Sequence, residues 1–314
     1  MSPRIIVLGG LNMDLVLHMD RLPRAGETVE ARTLETTPGG KGANQAIAAA
    51  RALARPTAVA MVGKAGDDAY GEQLLAYLGA SGVDTSHVAR ASGISSGLAI
   101  IAIDAEGENT VTAVYGANAL VGSLQADAAA ELMREAAILL VQQETPLDPT
   151  LAAMQAARIA GATVILDPAP ARVAPQGFLR HASIVTPNQT EAEALSGIPV
   201  VGVESARRAA ALIRERHGVE TVIVTLGGEG AVVVGPKTEV HVPAFEVKPL
   251  ATVAAGDAFN GALAAALAEG EALEPAVRFA AAAGAICVTR EGAATSMPGR
   301  DEIRQLLAAG RLRP

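Results

Sequence analysis

The sequence predicts an α/β fold: a mainly parallel sheet with helices on both faces and a small β-sheet cover. Three observations predict it. Short Val- and Ile-rich runs alternate with glycine-terminated helical runs through most of the 314 residues, the pattern of buried parallel strands joined by crossover helices. Two stretches break that rule: residues 13–36 and 97–117 alternate with period two around the turn residues Pro23 to Gly26 and Asp104 to Asn109, and read as antiparallel hairpins with one wet face. Half of the residues are hydrophobic, enough for one large core, or a core and a small appendage.

In chain order, "RIIVLGG" (4–10) is a buried strand ending in glycine, and "GANQAIAAARAL" (42–53) a helix after a glycine turn. "PTAVAMVGKAG" (56–66) is a strand then a loop, and "DAYGEQLLAYLGASGV" (68–83) a helix stopped by glycine. "AAILLVQQE" (136–144), "ATVILDPAP" (162–170) and "HASIVTPN" (181–188) are strands; "LDPTLAAMQAARIAG" (147–161), "QTEAEALSG" (189–197) and "SARRAAALIRERHG" (205–218) are helices. "ETVIVTLGGEG" (220–230) is a strand running into glycines. Both hairpins lie beside glycine-rich loops, so they are expected to form a lid where ligands bind, beyond the carboxyl ends of the strands. Residues 1–10, 38–93 and 119–314 are then the core, and 11–37 and 94–118 the lid.

A net charge of −8 argues against a sequence-independent nucleic-acid or membrane-surface binder. Cys287 is the one cysteine, so a disulfide framework is excluded and a reducing cytosol suits the chain. Its apolar runs are too short, or too broken by Gly, Pro and charge, for a signal peptide or a membrane span, and a soluble cytoplasmic protein is expected. The five histidines are scattered and HExxH and CxxC spacings are missing, which leaves a transition-metal site unsupported. A serine in a GxSxG setting is not expected either, nor with it a hydrolase nucleophile elbow.

Five stretches carry candidate chemistry, each with a plainer reading beside it. "PGGKGANQA" (38–46) is not a Walker A loop, because Glu35 stands at its first glycine position and Gly42 follows the lysine. It is either a glycine turn with Lys41 solvated, or bare backbone against a polyhydroxy ligand with Lys41 and Asn44 as hydrogen-bonding groups. Asn12 and Asp14, where the first strand leaves the core, either cap and turn the chain or partner vicinal hydroxyls. In "TPNQTEAEAL" (186–195), Asn188 and Glu191 either start a helix or hold a hydrated Mg²⁺ from one helical face. "TLGGEGA" (225–231) is a βα turn or a hairpin turn, or a run of backbone N–H groups facing phosphates. In "TVAAGDAFNGALAAAL" (252–267), Asp257 is a helix N-cap worth about 1 kcal/mol, or something more pointed. Ala254, Ala255 and Gly256 leave backbone N–H groups free at a helix N-terminus, which is an anion site. A carboxylate aimed at an anion site repels the anion, unless a hydroxyl lies between them. Asp257 would then take the hydroxyl proton while the amides hold the phosphoryl group it attacks.

These residues resemble a known family. "GGKGANQAIAAARAL" and "TVAAGDAFNGALAAAL" are similar to the two signatures of the PfkB, or ribokinase-like, carbohydrate kinases. "PRAGETVEA", "EGENTVT", "QQETPLD", "LDPAPAR", "TPNQTEAEALSG", "VTLGGEGA" and "VTREGAATSMP" follow in the order expected of its ribose-specific members. The resemblance covers nearly the whole chain and implies a three-layer α/β/α sandwich with a β lid, and transfer of the γ-phosphoryl of ATP to the 5-hydroxyl of ribose. Carried over, Asp257 is the base and Ala254, Ala255 and Gly256 the anion hole. Asn12, Asp14, Gly40, Lys41, Asn44 and Glu144 hold the sugar. Asn188, Thr225, Gly227, Gly228, Gly230, Gly256 and Ala281 hold ATP, and Glu191 organises Mg²⁺ through water. Lid-to-lid homodimers are implied as well.

Two positions depart from the family. Its members bind a monovalent cation beside the anion hole, commonly through an aspartate that is Ala251 here. Val253, Cys287, Arg290, Gly292 and Ser296 remain as ligand positions, so K⁺ activation is expected to be weak. Ala281 replaces a histidine that can flank the adenine. The competing readings are a related kinase for another sugar or a nucleoside, and a sugar-binding regulator without catalysis. The polar set around Lys41 favours a small polyol, and the intact Asp257 and glycine run favour catalysis.

Overall fold

A computed structural model describes residues 4–54 and 58–313. One face of strand β1 (Ile5–Leu8) turns Ile5 and Val7 into one core and the other turns Ile6 and Leu8 into a second. That alternation, repeated in β8 (Ile138–Val141) by Ile138 and Leu140 against Leu139 and Val141, makes three layers.

The central sheet has nine strands in the order β13-β12-β11-β10-β9-β8-β1-β4-β5. Beyond β1 and β8 these are β4 (Val59–Gly66), β5 (Val83–Ala91), β9 (Thr163–Leu166), β10 (Ile184–Val185), β11 (Thr221–Thr225), β12 (Ala231–Val234) and β13 (Glu239–Val242). Every pairing from β10–β11 through to β4–β5 is parallel, and β12 and β13 add antiparallel pairs at one edge. Helices α1 (Lys41–Ala52), α2 (Ala69–Ala80), α7 (Ala255–Ala268), α8 (Leu273–Cys287) and α9 (Arg300–Ala309) cover the first core. Helices α3 (Ser123–Leu132), α4 (Leu147–Ile159), α5 (Gln189–Ser196) and α6 (Val203–His217) cover the second. The expected three-layer arrangement is present.

Several local readings change. The strand at "PTAVAMVGKAG" runs through Gly66 without becoming a loop, held by parallel pairing with β5 as far as Gly66↔Ala91; Pro56 and Thr57 lie outside the described residues. "TLGGEG" is a hairpin turn, since β11 and β12 pair antiparallel around a 3₁₀ turn at Gly227–Glu229. The pentapeptide Gly93 to Gly97 does have GxSxG spacing, contrary to the expectation above. It joins strand to strand, however, with Ser95 exposed, and a nucleophile elbow needs a strand-to-helix turn.

The second sheet has four strands, β3-β2-β6-β7: β2 (Asn12–Met19), β3 (Ala31–Gly39), β6 (Gly97–Ile103) and β7 (Asn109–Val114). Each hairpin is antiparallel as expected, but the two join through a parallel β2–β6 pairing. The row Gly39–Asn12–Gly97 at its base follows β1 directly, so this sheet stands at the carboxyl ends of the core strands.

Helices α1 and α7 touch at Gly261, where an added Cβ would meet Ala48 Cβ at 2.5 Å and Gln45 O at 2.6 Å. Only a residue without a side chain permits that approach. Gly261→Ala should therefore push α1 from α7 and lower stability by about 1–3 kcal/mol. A urea midpoint equal to the parent's would show that the two helices have slack.

Candidate active site

Helix α1 starts against the end of β1. Gly40 takes a left-handed φ of 88°, and a Cβ on Gly42 would lie 2.7 Å from the backbone of Gly9 and Gly10. That closeness points the first turns of α1 at β1, the sheet's switch point between β4 and β8. Lys41, Asn44 and Gln45, at i, i+3 and i+4, share one helical face, and all three reach Asp257 on α7. Asn44 Nδ2 donates to Asp257 Oδ2 at 3.0 Å, and Gln45 Nε2 donates to Asp257 Oδ1 at 2.9 Å. Lys41 Nζ stands 3.9 Å from the same Oδ1.

Asp257 does not cap its helix. The N-cap is Ala254, in the left-handed region at φ 60°, and Asp257 is the third residue of α7, 5% exposed. A non-glycine residue held at positive φ costs roughly 1–2 kcal/mol. The strain turns the chain so that the Gly256 and Asp257 amides have no hydrogen-bond acceptor among the described residues, and a Cβ on Gly256 would meet nothing within 4 Å. A bare helix N-terminus therefore sits beside a buried carboxylate.

Around Lys41 the chain gathers more carboxylates than the sequence reading foresaw. Glu144, just beyond β8, accepts the Lys41 backbone N–H at 2.8 Å and Asn12 Nδ2 at 3.3 Å. Asn12 in turn accepts Asn118 Nδ2 at 2.8 Å, which fixes its amide. Asp14 lies over Gly39. Asp167, at the carboxyl end of β9, stands 3.6 Å from Lys41 Nζ and accepts Gln45 Nε2 at 2.8 Å. Neither Asp167 nor Gln45 was among the candidates. The usable signals were an acid ending a buried strand in "VILDP" and a glutamine four residues after Lys41.

Burial, aided by Asp257, pushes the Asp14 carboxyl up to about 7. Burial also lifts Glu144 and Asp167 to about 7, in each case against the pull of Lys41. Burial alone would lower the Lys41 ammonium, but Asp167, Asp257 and Glu144 outweigh it and hold the amine charged.

On the other side of the α7 N-terminus is a cavity of about 360 Å³, lined by Thr225, Gly227, Gly228, Gly230, Phe245, Gly256, Ala281 and Arg313 among others. Every residue expected to hold a nucleotide is on its wall except Asn188. Asn188 lies alongside, bridged to Thr225. Its side chain accepts the Glu191 N–H, and Glu191 accepts the Asn188 N–H, both at 2.9 Å. The plain helix-start reading of this pair thus describes its geometry.

Of the expected cation positions, Cys287 Sγ lies 3.1 Å from Ser296 Oγ and 3.6 Å from Val253 O. Ser296 Oγ donates to Ala293 O at 2.7 Å. Arg290 and Gly292 are in the same loop, with the Arg290 guanidinium turned to Glu302. Ala251 brings only a methyl group, its N–H donating to Val288 O at 3.1 Å. Among the described residues no helix is long and apolar enough to cross a membrane, and no group of three or more His, Cys, Asp or Glu could hold a metal.

Residues 2–300 match the pfkB family carbohydrate kinases. The chain is similar to the ribokinase of Bacillus subtilis, 40% identical over 97% of this chain and 99% of that one. It is also similar to the deoxyribokinase of Salmonella typhi, 34% identical over 97% and 98%. Among solved structures, the Arabidopsis thaliana ribokinase complexed with ribose and ATP superposes with a TM-score of 0.89 at 34% identity, over 98% of this chain and 99% of that one. The chain belongs to the pfkB family and is a carbohydrate kinase.

The raised Asp14 value sets a pH test. Between the ordinary 3.8 and about 7, the folded chain keeps a proton on Asp14 that the unfolded chain releases. Stability is therefore lost progressively as pH rises through that window, and nothing is lost below it. Asp14→Asn should melt higher than the parent near pH 8, with the difference closing towards pH 4. A difference that is constant or reversed across melts without sugar would refute the burial of this charge.

Proposed function

We propose that the chain transfers the terminal phosphoryl group of ATP to the 5-hydroxyl of ribose, with Asp257 as the base. One observation carries this reading: a buried carboxylate, held by two amide side chains, lies next to free helix N-terminal amides that face a nucleotide-sized cavity. A hydroxyl between them would give its proton to Asp257 and attack a phosphoryl group whose developing charge meets the Gly256 and Asp257 amides. Asn12, Asp14, Gly40, Lys41, Asn44 and Glu144 would hold the sugar hydroxyls. Thr225, the glycines from Gly227 to Gly230, Gly256 and Ala281 would hold the nucleotide, with Asn188 at its phosphate end. Magnesium, when bound, would neutralise the phosphate oxygens, and Glu191 would hold it through water, because the capping box occupies its carboxylate. The apolar Leu34 and Ile100 are exposed on one face of the small sheet, and a second copy covering them would complete a lid-to-lid dimer.

A second sugar is favoured by a specific observation, the 34% identity to a deoxyribokinase, so 2-deoxyribose belongs in the test. ADP release should be measured over ribose, 2-deoxyribose, other pentoses, hexoses and nucleosides. Ribose is expected to give the highest kcat/KM, and a nucleoside or hexose in first place would overturn the substrate. Asp257→Asn should lose roughly 10²-fold or more in kcat while still binding sugar; near-normal turnover would leave Asp257 without a chemical role.

With Ala251 in place of a carboxylate, the cation positions offer mainly neutral carbonyls and Ser296, and ligand charge contributes to affinity for hard cations. K⁺ should therefore activate weakly, and Ala251→Asp should strengthen the response at constant ionic strength. Strong saturation at low millimolar K⁺ in the parent protein would contradict this.

A further inference from the structure

Gln45 is fully buried, and its amide is used completely. Its Nε2 donates to Asp257 Oδ1 at 2.9 Å and to Asp167 Oδ2 at 2.8 Å. Its Oε1 accepts Gln142 Nε2 at 2.6 Å. The three partners come from α7, from the residue after β9 and from the residue after β8. We infer that Gln45 is a positioning residue for the phosphoryl transfer: it fixes the orientation of Asp257, and Gln142 fixes Gln45. The inference rests on the proposed role of Asp257 as base.

The chemistry permits one orientation of the Gln45 amide. Turned over, it would present its oxygen to two carboxylates and its NH₂ to the Gln142 NH₂, so acceptors would face acceptors and donors would face donors. In the orientation seen, both amide protons fall on carboxylate oxygens. Donors to a carboxylate favour its charged form, and here they also hold two like charges side by side, a task shared with Lys41. Asn44 on the other oxygen leaves Asp257 tied at both ends, which is what a base needs to meet one hydroxyl in one geometry. Gln142 Oε1 has no partner among the described residues. Turning the Gln142 amide would set that oxygen against Gln45 Oε1, so the relay has a direction from β8 to the base.

The charged and titratable groups around this relay are Lys41 on α1, Asp14 on β2, Glu144 beyond β8, Asp167 beyond β9, Glu191 on α5 and Cys287 on α8. None of them donates to Asp257 as Gln45 does, so its removal should be seen on the acid side of the rate profile.

The test is Gln45→Met, of similar length and without donors, beside Gln142→Met and Asp257→Asn. Gln45→Met should lower kcat about tenfold, the scale of losing charge-assisted hydrogen bonds, with ribose KM changed less than about threefold. The acid limb of its kcat–pH profile should move up by about half a unit or more. Gln142→Met leaves Gln45 in place but free to turn, and should give a smaller change of the same sign, which keeps the inference testable if Gln45→Met is poorly folded. Parent-like kcat and acid limb in both methionine variants, with Asp257→Asn inactive, would overturn the relay and leave the base. Full activity in Asp257→Asn would instead remove the base itself. A fall in kcat with an unmoved acid limb would also overturn the inference, since loss of packing alone predicts it.

Discussion

Lys41 is one ammonium among the carboxylates of Asp14, Glu144, Asp167 and Asp257, and the architecture of the site follows from keeping that set together. Three of the acids are less than a tenth exposed. Unpaired charges in such surroundings cost several kcal/mol each, so the cluster persists because Glu144, Asp167 and Asp257 are each tied to a donor and Asp14 takes up a proton instead. Glu144 holds the α1 backbone, Asp167 and Asp257 share Gln45 and Lys41, and Asp14 is lifted to about 7. The ties come from β2, α1, α7 and the ends of β8 and β9, which explains why the chain must close so tightly. Gly42 against β1 and Gly261 against α1 remove the side chains that would otherwise hold these segments apart.

This arrangement is poor for stability and good for phosphoryl transfer. A stable core would bury apolar groups here, and the strained Ala254 with its unaccepted amides would be absent. The rest of the fold supports the compromise with two cores on either face of a nine-stranded sheet, where the strand interiors are almost wholly apolar. The small sheet stands on the base row of Asn12, Gly39 and Gly97, so movement of that sheet would be felt first by the residues proposed to hold the sugar.

The three layers were legible in the sequence because a strand buried on both faces reads as an unbroken apolar run, as in "RIIVLGG" and "AAILLVQQE". Strand β5 was missed because "VDTSHVARA" is polar at alternate positions and lies at the sheet edge. The parallel β2–β6 pairing was missed because local alternation shows a hairpin and says nothing about which hairpins meet. Within the site, Lys41, Asn44 and Asp257 could be singled out by their glycine-rich surroundings. Gln45 and Asp167 could not, since a glutamine in an alanine-rich helix and an acid before a proline have ordinary explanations. Only the folded chain brings them within 2.8 Å. The N-cap reading of Asp257 failed for a related reason: an alanine at positive φ, which no sequence rule favours, starts the helix three residues earlier.

The central claim is that Asp257 faces a sugar hydroxyl across from the α7 amides. A crystal structure with ribose and a non-hydrolysable ATP analogue tests it most directly. The account predicts the 5-hydroxyl oxygen at hydrogen-bond distance from an Asp257 carboxylate oxygen, roughly 2.6–3.2 Å, with the terminal phosphate on the Gly256 and Asp257 amides. A sugar seated away from the Lys41 face, or one presenting a different hydroxyl to Asp257, would contradict it.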